Sequence, residues 1–302
     1  MPGMKPWIVG ARPRTLVAAV IPVGTGASLV ASNHAGPFGL AHGLGSGEWT
    51  RALLALVVAV GMQIGVNYAN DYYDGVSGRD VGRVGPMRLT ASGVVRSRNV
   101  AIAAVLSFCF AGASGLALAA VLDRWWILVV GLVAAIAAIG YSGGPKPYAS
   151  LGFGELFVFV FFGIVATVGS DYVISGGKPA WGESSVAAIP VGMLAVLILI
   201  ANNLRDMAGD EQQGKRTLAV RIGRHRAGLL YIVGLLTAAV GIGFLSAFRP
   251  PVLLALAAFP VSKKSVSLVL GQNDGIELLP VLGDTALLEL LAGILIVVGL
   301  LI

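Results

Sequence analysis

The chain has 302 residues, of which 56% are apolar and only 12% are charged. Soluble domains carry about 25% charged residues, so the composition excludes an ordinary soluble protein and indicates one that crosses a membrane several times. The net charge of +6 does not indicate nucleic-acid binding, because the basic residues lie between long apolar segments, as in the loops of membrane proteins.

Nine apolar segments predict an all-α, polytopic membrane protein with nine transmembrane helices. The first follows a short basic lead and could pass for a signal peptide, but we expect a retained span. The eighth is the weakest prediction, because its 11 residues are fewer than the roughly 20 that a span needs. In chain order the predicted spans cover about residues 15–32, 52–69, 100–122, 125–142, 155–175, 185–204, 227–248, 252–262 and 278–302.

The second predicted span ends in a cluster of carboxamides and carboxylates: Asn67, Asn70, Asp71 and Asp74. If the helix continues through them, their i, i+3, i+4 and i+7 spacing predicts that one helix face carries all four. Carboxylates this close repel one another unless a cation lies among them, and oxygen ligands suit Mg²⁺, which commonly bridges carboxylates to substrate phosphates. The sequence therefore predicts a site for Mg²⁺ and a diphosphate.

A second motif of the same design ends the sixth predicted span, with Asn202, Asp206 and Asp210 at i, i+4 and i+8. An Asp near a helix end is often only a cap, but the repetition favours a shared function. We expect one domain over residues 1–302, built from pseudo-repeats of about 1–150 and 151–302. Two facing acidic motifs could hold two metal ions.

Basic and aromatic residues accompany the two motifs. A departing diphosphate needs cations, and apolar helices around it imply that the attached tail is a lipid, as in a polyprenyl diphosphate. The alternatives are charges that only set the membrane orientation and tyrosines that only anchor the interface. The candidate cations are Arg88, Lys146, Arg205, Lys215 and Arg216, and the tyrosines that could face an allylic cation are Tyr68, Tyr72, Tyr73, Tyr141 and Tyr148.

The basic residues also predict the orientation. With nine spans and a cytosolic N terminus, every Lys and Arg lies on the cytosolic side except Arg51, Arg124, Lys178 and Arg249, as the positive-inside rule requires. Both acidic motifs then face the cytosol, where Mg²⁺ and phosphorylated metabolites are available. We therefore expect a multi-pass protein of the cell membrane with a cytoplasmic active site.

Four blocks of sequence, residues 67–74, 141–148, 154–163 and 202–221, resemble the UbiA superfamily of intramembrane prenyltransferases. The resemblance spans almost the whole chain and is strongest to the branch that prenylates 1,4-dihydroxy-2-naphthoate in menaquinone biosynthesis. It implies a helical bundle around a central cavity with a lateral opening to lipid.

The resemblance also implies roles for individual residues. It assigns Mg²⁺ to Asp71, Asp74, Asp206 and Asp210, with support from Asn67, Asn70 and Asn202. It implies diphosphate binding by Lys146, Arg205 and Lys215. The residues themselves indicate Arg88 and Arg216 as further cations, Tyr141 as a catalytic residue, and Tyr72 and Tyr148 as substrate contacts. Arg12 and Arg14 match a position near the pocket mouth and could pair with the acceptor carboxylate, although ordinary topology charges fit equally well.

The expected reaction is transfer of a polyprenyl group to 1,4-dihydroxy-2-naphthoate with loss of diphosphate and carbon dioxide, which gives demethylmenaquinone. Other acceptors of the superfamily, 4-hydroxybenzoate, homogentisate or a phosphosugar, remain alternatives. A secondary transporter is another, but its site would lie near the bilayer midplane, whereas both motifs here lie at one membrane edge. Asp284 and Glu289, in a last span expected to be apolar, have no predicted role.

Overall fold

The computed structural model describes residues 4–34, 43–78, 87–144, 147–271 and 273–302. Every regular element in these ranges is helical. We number the helices in chain order as α1 (Met4–Ala11), α2 (Pro13–Ser32), α3 (Ser46–Val76), α4 (Ser97–Leu122), α5 (Ile127–Ser142), α6 (Gly154–Ile174), α7 (Trp181–Gln212), α8 (Leu218–Ile222), α9 (Arg224–Leu245), α10 (Pro250–Leu270) and α11 (Gly275–Leu301).

Eight helices of the described ranges are long and apolar enough to cross a membrane: α2, α3, α4, α6, α7, α9, α10 and α11. The predicted all-α, multi-pass architecture is confirmed, but the count of nine is slightly off. The fourth predicted span, α5, has 16 residues, which makes about 24 Å against a hydrocarbon core of about 30 Å. The preceding helix α4 ends at the left-handed Asp123, with φ of 51°, and α5 itself ends at the extended Gly143.

The weak eighth span is longer than predicted. It continues through Lys263 and Lys264 to Leu270, and its first part, Pro250–Ser262, is a 3₁₀ helix. A 3₁₀ helix rises about 2.0 Å per residue instead of 1.5 Å, so these residues cover more of the membrane than an α-helix would. We attribute the shortfall in the sequence prediction to the two lysines, which interrupt the apolar pattern.

Helix α7 forms the centre of the bundle and α4 its periphery. Of the most apolar stretch in each helix, 72% is buried in α7 but only 17% in α4. Helix α7 crosses α6 closely at Gly192, where an added Cβ would lie 2.6 Å from the Cα of Gly163. Membrane helices associate by such close packing of small residues, because lipid supplies no hydrophobic force between them.

Two long helices carry the acidic motifs to the same end of the bundle. Helix α3 has 31 residues and α7 has 32, so each is about 46–48 Å long and extends beyond a hydrocarbon core of about 30 Å. Both motifs lie in the last turns of their helices, and we call this side of the bundle the polar end.

The two unexplained acidic residues of α11 lie inside the bundle. Asp284 accepts a hydrogen bond from the hydroxyl of Ser265 in α10 at 3.0 Å, which links neighbouring helices. Glu289 is 2% exposed. The last span therefore contains acidic residues at positions where apolar ones were expected. It can do so because these side chains face protein and not lipid.

Candidate active site

A cavity of about 1100 Å³ brings the two motifs together at the polar end. Helix α3 contributes Asn70 and Asp74, one turn apart, and α7 contributes the three residues of its motif. Four cationic side chains line the same cavity. The predicted residues that line it are Arg12, Asn67, Asn70, Asp74, Arg88, Tyr141, Tyr148, Asn202, Arg205, Asp206, Asp210 and Lys215.

The two asparagines of α3 have different surroundings. Asn67 donates from Nδ2 to the carbonyl of Ala11 at 2.8 Å and to Oγ1 of Thr15 at 3.1 Å, so it fixes α3 to the start of α2. The Oδ1 of Asn70 is buried and accepts no hydrogen bond from any described residue. A buried oxygen without a donor is costly, and here it belongs to a residue that lines the cavity.

Asp71 does not line the cavity with the other three residues of its motif. It is 1% exposed, and its carboxylate oxygens accept the backbone N–H groups of Leu89 and Thr90, each at 2.9 Å. Helix α3 continues through all four positions as expected, but the Asp71 side chain is bound to the backbone and does not line the cavity. The spacing rule did not anticipate that the segment following α3 folds back and uses this carboxylate to satisfy two backbone donors.

In the second motif, cations lie beside the carboxylates. Arg205 binds Asp206 through two parallel contacts, Nε to Oδ1 and Nη2 to Oδ2, both 2.7 Å. Lys215 lies 3.3 Å from Asp210. Arg205 is only 4% exposed, and its Nη1 has no hydrogen-bond partner among the described residues. Arg205 can thus hold a carboxylate and still offer a donor to a second anion.

Four predicted site residues lie outside the cavity lining, and one lies outside the described residues. Asp71 is buried as described above, Arg14 and Arg216 are exposed, and Tyr72 packs edge-on against Tyr73 with ring centroids 5.2 Å apart. Lys146 falls in the part of the chain that the structure does not describe.

Aromatic side chains border the cavity at the polar end. Tyr141 of α5 contacts Tyr148 at 5.5 Å between centroids, Tyr148 stacks on Phe157 of α6 at 4.1 Å, and Phe157 lies 6.0 Å from Phe161. We call these four residues the near aromatic bridge. Burial raises the pKa of the Tyr148 hydroxyl, so this phenol stays neutral and remains a hydrogen-bond donor.

A second aromatic cluster lies at the opposite end of the cavity. Tyr172 of α6 contacts Trp126, next to α5, at 5.3 Å and Trp181 of α7 at 6.2 Å. We call these three residues the far aromatic bridge. The 15-residue step from Trp126 to Tyr141 corresponds to about 22 Å along a helix, so the two bridges frame an elongated space between α5 and α6.

The walls of this space are apolar and open to the outside of the bundle. Helix α5 supplies small residues, including Gly131 and Ala135, and α6 supplies Val165 and Ile164, which is 45% exposed. We call this space the lateral groove. It connects the polar end of the cavity with the surface that faces lipid, as the predicted lateral opening requires.

Sequence reasoning assigned no role to two further residues beside the cavity. Asn203 lines the cavity and donates from Nδ2 to Oε1 of the buried Glu155 at 2.9 Å. The sequence does show the repeated asparagine at 202 and 203 and the carboxylate at the start of a predicted span. It does not show that Asn203 and Glu155 pair, because the two residues lie 48 positions apart.

The donor set of the cavity fits Mg²⁺, because carboxylate and amide oxygens are the ligands that this ion prefers. Such oxygens are carried by Asp74, Asp206 and Asp210 and by Asn70, whose Oδ1 accepts no hydrogen bond from a described residue. Within the described ranges, no three acidic, His or Cys side chains lie close enough to enclose an ion by themselves. A site of this kind suits an ion shared between protein and substrate phosphates.

Comparisons with known proteins agree with this geometry. The model of the UbiA prenyltransferase family matches residues 28–276. The 1,4-dihydroxy-2-naphthoate octaprenyltransferase of Mycobacterium tuberculosis is 42% identical over 288 residues, which cover 95% of this chain and 94% of that protein.

Two solved structures share the fold. A UbiA homolog from Aeropyrum pernix K1 has a TM-score of 0.67 at 15% identity, covering 94% of this chain and 96% of its own. A UbiA homolog from Archaeoglobus fulgidus bound to DMAPP and Mg²⁺ has a TM-score of 0.59 at 15% identity, with coverages of 96% and 98%.

Proposed function

The chain belongs to the UbiA prenyltransferase family, and we propose that it transfers a polyprenyl group from its diphosphate to 1,4-dihydroxy-2-naphthoate. The observation that carries the proposal is the single cavity that joins both acidic motifs to an apolar groove open towards lipid. The name of the Mycobacterium tuberculosis relative supports the naphthoate as acceptor. The Archaeoglobus fulgidus structure, with DMAPP and Mg²⁺, supports a prenyl diphosphate and this metal.

The polar end of the cavity binds the diphosphate. Asn70, Asp74, Asp206 and Asp210 would hold Mg²⁺, as one ion or two, which neutralises the diphosphate and stabilises its departure when bound. Arg205 supplies the free Nη1 donor next to Asp206, and Lys215 and Arg88 add positive charge from the lining of the same cavity. The resemblance to the family supports Lys146 as a further cation.

The lateral groove holds the prenyl chain while its reactive end meets the diphosphate site. The allylic C–O bond breaks, and the bonding electrons leave with the diphosphate. The electron-rich faces of Tyr141 and Tyr148 stabilise the positive charge that develops on the allylic carbons. Because the groove walls are apolar, they also keep water away from this cation.

The acceptor completes the reaction. The ring carbon that bears the carboxylate attacks the allylic carbon, and the carboxylate then leaves as carbon dioxide, so that the electrons of the broken C–C bond restore the aromatic ring. The product is demethylmenaquinone in its reduced, quinol state. Arg12, whose side chain lines the cavity, can pair with the acceptor carboxylate before it is lost, which orients the ring.

The proposed location is the cell membrane with the polar end facing the cytoplasm, because the basic loops support this orientation. Topology reporters fused after Arg226 and after Ile302 test it. A cytosolic signal from the first and an external signal from the second are expected, and the reverse pattern would contradict the orientation.

The decisive test of the reaction uses purified protein in lipid nanodiscs with Mg²⁺, a panel of prenyl diphosphates and three acceptors, 1,4-dihydroxy-2-naphthoate, 4-hydroxybenzoate and homogentisate. Mass spectrometry of the lipid products should show prenylated naphthoquinol and release of carbon dioxide, both lost in Asp74→Asn. Products from another acceptor alone would assign the reaction of a different branch of the family. Counterflow uptake without any product would indicate a transporter.

A further inference from the structure

A buried carboxylate next to the cavity takes no part in the reaction described so far. Glu155 lies at the start of α6, is 8% exposed, and its Oε2 has no hydrogen-bond partner among the described residues. Ionisable groups inside a membrane bundle are costly to bury. A pair kept only for stability could be replaced by apolar side chains at little or no cost, so Glu155 calls for a functional explanation.

Glu155 determines which way the amide of Asn203 points. The 2.9 Å contact joins Nδ2 of Asn203 to Oε1 of Glu155, and a carboxylate can only accept hydrogen bonds. The amide nitrogen must therefore face Glu155, and Oδ1 must face away from it. Within the described chain Oδ1 accepts no hydrogen bond, yet it is not sealed off from the cavity that Asn203 lines.

The chemistry of the substrates limits what Oδ1 of Asn203 can bind. An amide oxygen accepts hydrogen bonds and donates none. The diphosphate offers only acceptor oxygens when ionised, and a prenyl chain offers no polar group. Of the substrates of the proposed reaction, only the aromatic acceptor carries hydroxyl groups that can donate.

The position of Asn203 also separates it from the metal-binding row. Consecutive residues of an α-helix differ by about 100° in direction, so Asn203 lies to one side of the row formed by Asn202, Asp206 and Asp210. Its partner Glu155 follows Gly154, where an added Cβ would lie 3.6 Å from the ring of Tyr141. Asn203 is thus placed between the metal row and the near aromatic bridge, whose rings suit a flat aromatic ligand.

We propose that Oδ1 of Asn203 accepts a hydrogen bond from a hydroxyl of the aromatic acceptor, and that Glu155 is the positioning residue that holds Asn203 in this orientation. This inference rests on the proposed function and adds to it the place where the acceptor ring is recognised. Asn203 selects for a hydroxyl-bearing ring, whereas Arg12 pairs with its carboxylate.

The experiment measures binding and not turnover. Naphthalene fluorescence gives the Kd of 1,4-dihydroxy-2-naphthoate and of its two monomethyl ethers, under anaerobic conditions, for protein in nanodiscs. Wild type should bind one ether about tenfold to a hundredfold more weakly than the parent compound, because the bound ether covers Oδ1 of Asn203 and offers it no donor. Asn203→Leu should reduce this ratio to about one.

Glu155→Gln tests the positioning role, because a carboxamide can donate as well as accept and so permits the Asn203 amide to turn. The ratio of the Kd of the ether to the Kd of the parent naphthoate should fall, while the KM for the prenyl diphosphate stays unchanged. Thr285→Val is the matched control, since it removes a buried 2.7 Å contact with Tyr231 away from the cavity lining and should keep the wild-type ratio.

Four results would overturn the inference: no ether discrimination by wild type, an unchanged ratio in Asn203→Leu, an unchanged ratio in Glu155→Gln, or an altered Mg²⁺ activation constant in Asn203→Leu with acceptor affinity intact. The last result would make Asn203 a metal ligand. Failure of wild type to prenylate the parent naphthoate would instead overturn the proposed function, and the inference with it.

Discussion

Asp71 and Asp74 lie within one turn of the same helix, yet their carboxylates serve different parts of the molecule. Asp71 accepts the backbone N–H groups of Leu89 and Thr90, whereas Asp74 lines the cavity. The first contact holds the segment that also carries Arg88 to the cavity wall. Asp71 thus acts on the site through the backbone, and Asp74 acts on it directly.

We predict that Asp71→Asn lowers the free energy of unfolding by about 1–3 kcal/mol, because its new amide nitrogen faces a backbone N–H that then lacks an acceptor. Asp74→Asn should lower Mg²⁺-dependent turnover by about a hundredfold or more. Thermal unfolding in detergent and turnover against Mg²⁺ concentration measure both effects. A stable Asp71→Asn protein that has lost its Mg²⁺ response would show that Asp71 is a ligand after all.

For single residues, the sequence predicts which residue types gather at the site. It does not predict which of them line the cavity and which make structural contacts. Asn70, Asp74 and the second motif line one cavity, and their spacing indicates this grouping because helical periodicity is a local property. The use of Asp71, and the pairing of Glu155 with Asn203, depend on segments that are distant in the chain. Arg14 is predicted by its match to a family position, and Tyr72 and Arg216 by residue type and neighbourhood, but none of these determines the direction of a side chain.

At the scale of helices, the close contact between α6 and α7 fixes the distance between these two helices, both of which line the cavity. Added Cβ atoms at Gly192 and Gly163 would meet backbone atoms of the opposite helix, at 2.6 Å from Cα of Gly163 and 2.9 Å from O of Ala188. Backbone cannot move aside as a flexible side chain can. The two helices therefore keep their separation only while both positions lack side chains.

We predict that Gly192→Ala destabilises the protein by about 1–3 kcal/mol, because the new methyl group overpacks a backbone contact. The matched change Gly243→Ala, on the exposed side of α9 where an added Cβ meets nothing within 4 Å, should stabilise by about 0.5–1 kcal/mol. Opposite shifts in the unfolding temperature are expected. Equal shifts would show that the α6–α7 crossing relaxes without cost.

Helix existence was predictable from hydropathy, but helix length was less so. The apolar pattern predicts only residues 252–262 before two lysines, whereas α10 continues to Leu270. The opposite happened at α5, whose 16 residues end where Gly143 adopts an extended conformation. Backbone conformation at such points depends on packing, so the composition of a window does not define it.

For the whole molecule, the lateral groove decides which lipids can react. Its two walls, α5 and α6, meet through the near and far aromatic bridges and leave an opening of about 22 Å between them. Because bonds of about 1.5 Å follow a zigzag, each advances an extended chain by about 1.25 Å, and an isoprene unit of four chain carbons covers roughly 5 Å. About four units therefore fit between the bridges, and the rest of a longer chain lies in the bilayer.

We predict that Gly131→Leu lowers turnover of long-chain prenyl diphosphates by about tenfold or more, because the new side chain fills the groove at a cost of about 1–3 kcal/mol to a bound chain. Dimethylallyl diphosphate, which does not reach this depth, should react at nearly the wild-type rate. Gly243→Leu is the control, because both glycines have open space around an added Cβ but Gly243 lies outside the cavity lining. Equal losses with both substrates would place the prenyl chain elsewhere.

The family and the multi-pass architecture were predictable from the sequence, and both are confirmed. Two similar motifs at the ends of two helices indicate one shared site, which can form only where those helix ends meet. The groove was predictable only through the family resemblance. Its two aromatic bridges join residues such as Trp126 and Tyr172, and no local pattern connects them.

The open side of the groove has a consequence for how the reaction is measured. One reactant arrives from water, the other diffuses within a surface, and the product remains in that surface, so two different concentrations govern the rate. For the lipid reactant the relevant quantity is its mole fraction among the surrounding amphiphiles and not its amount per litre. Adding detergent or inert lipid at constant total substrate should therefore slow the reaction, and apparent KM values should converge once they are expressed per unit of surface.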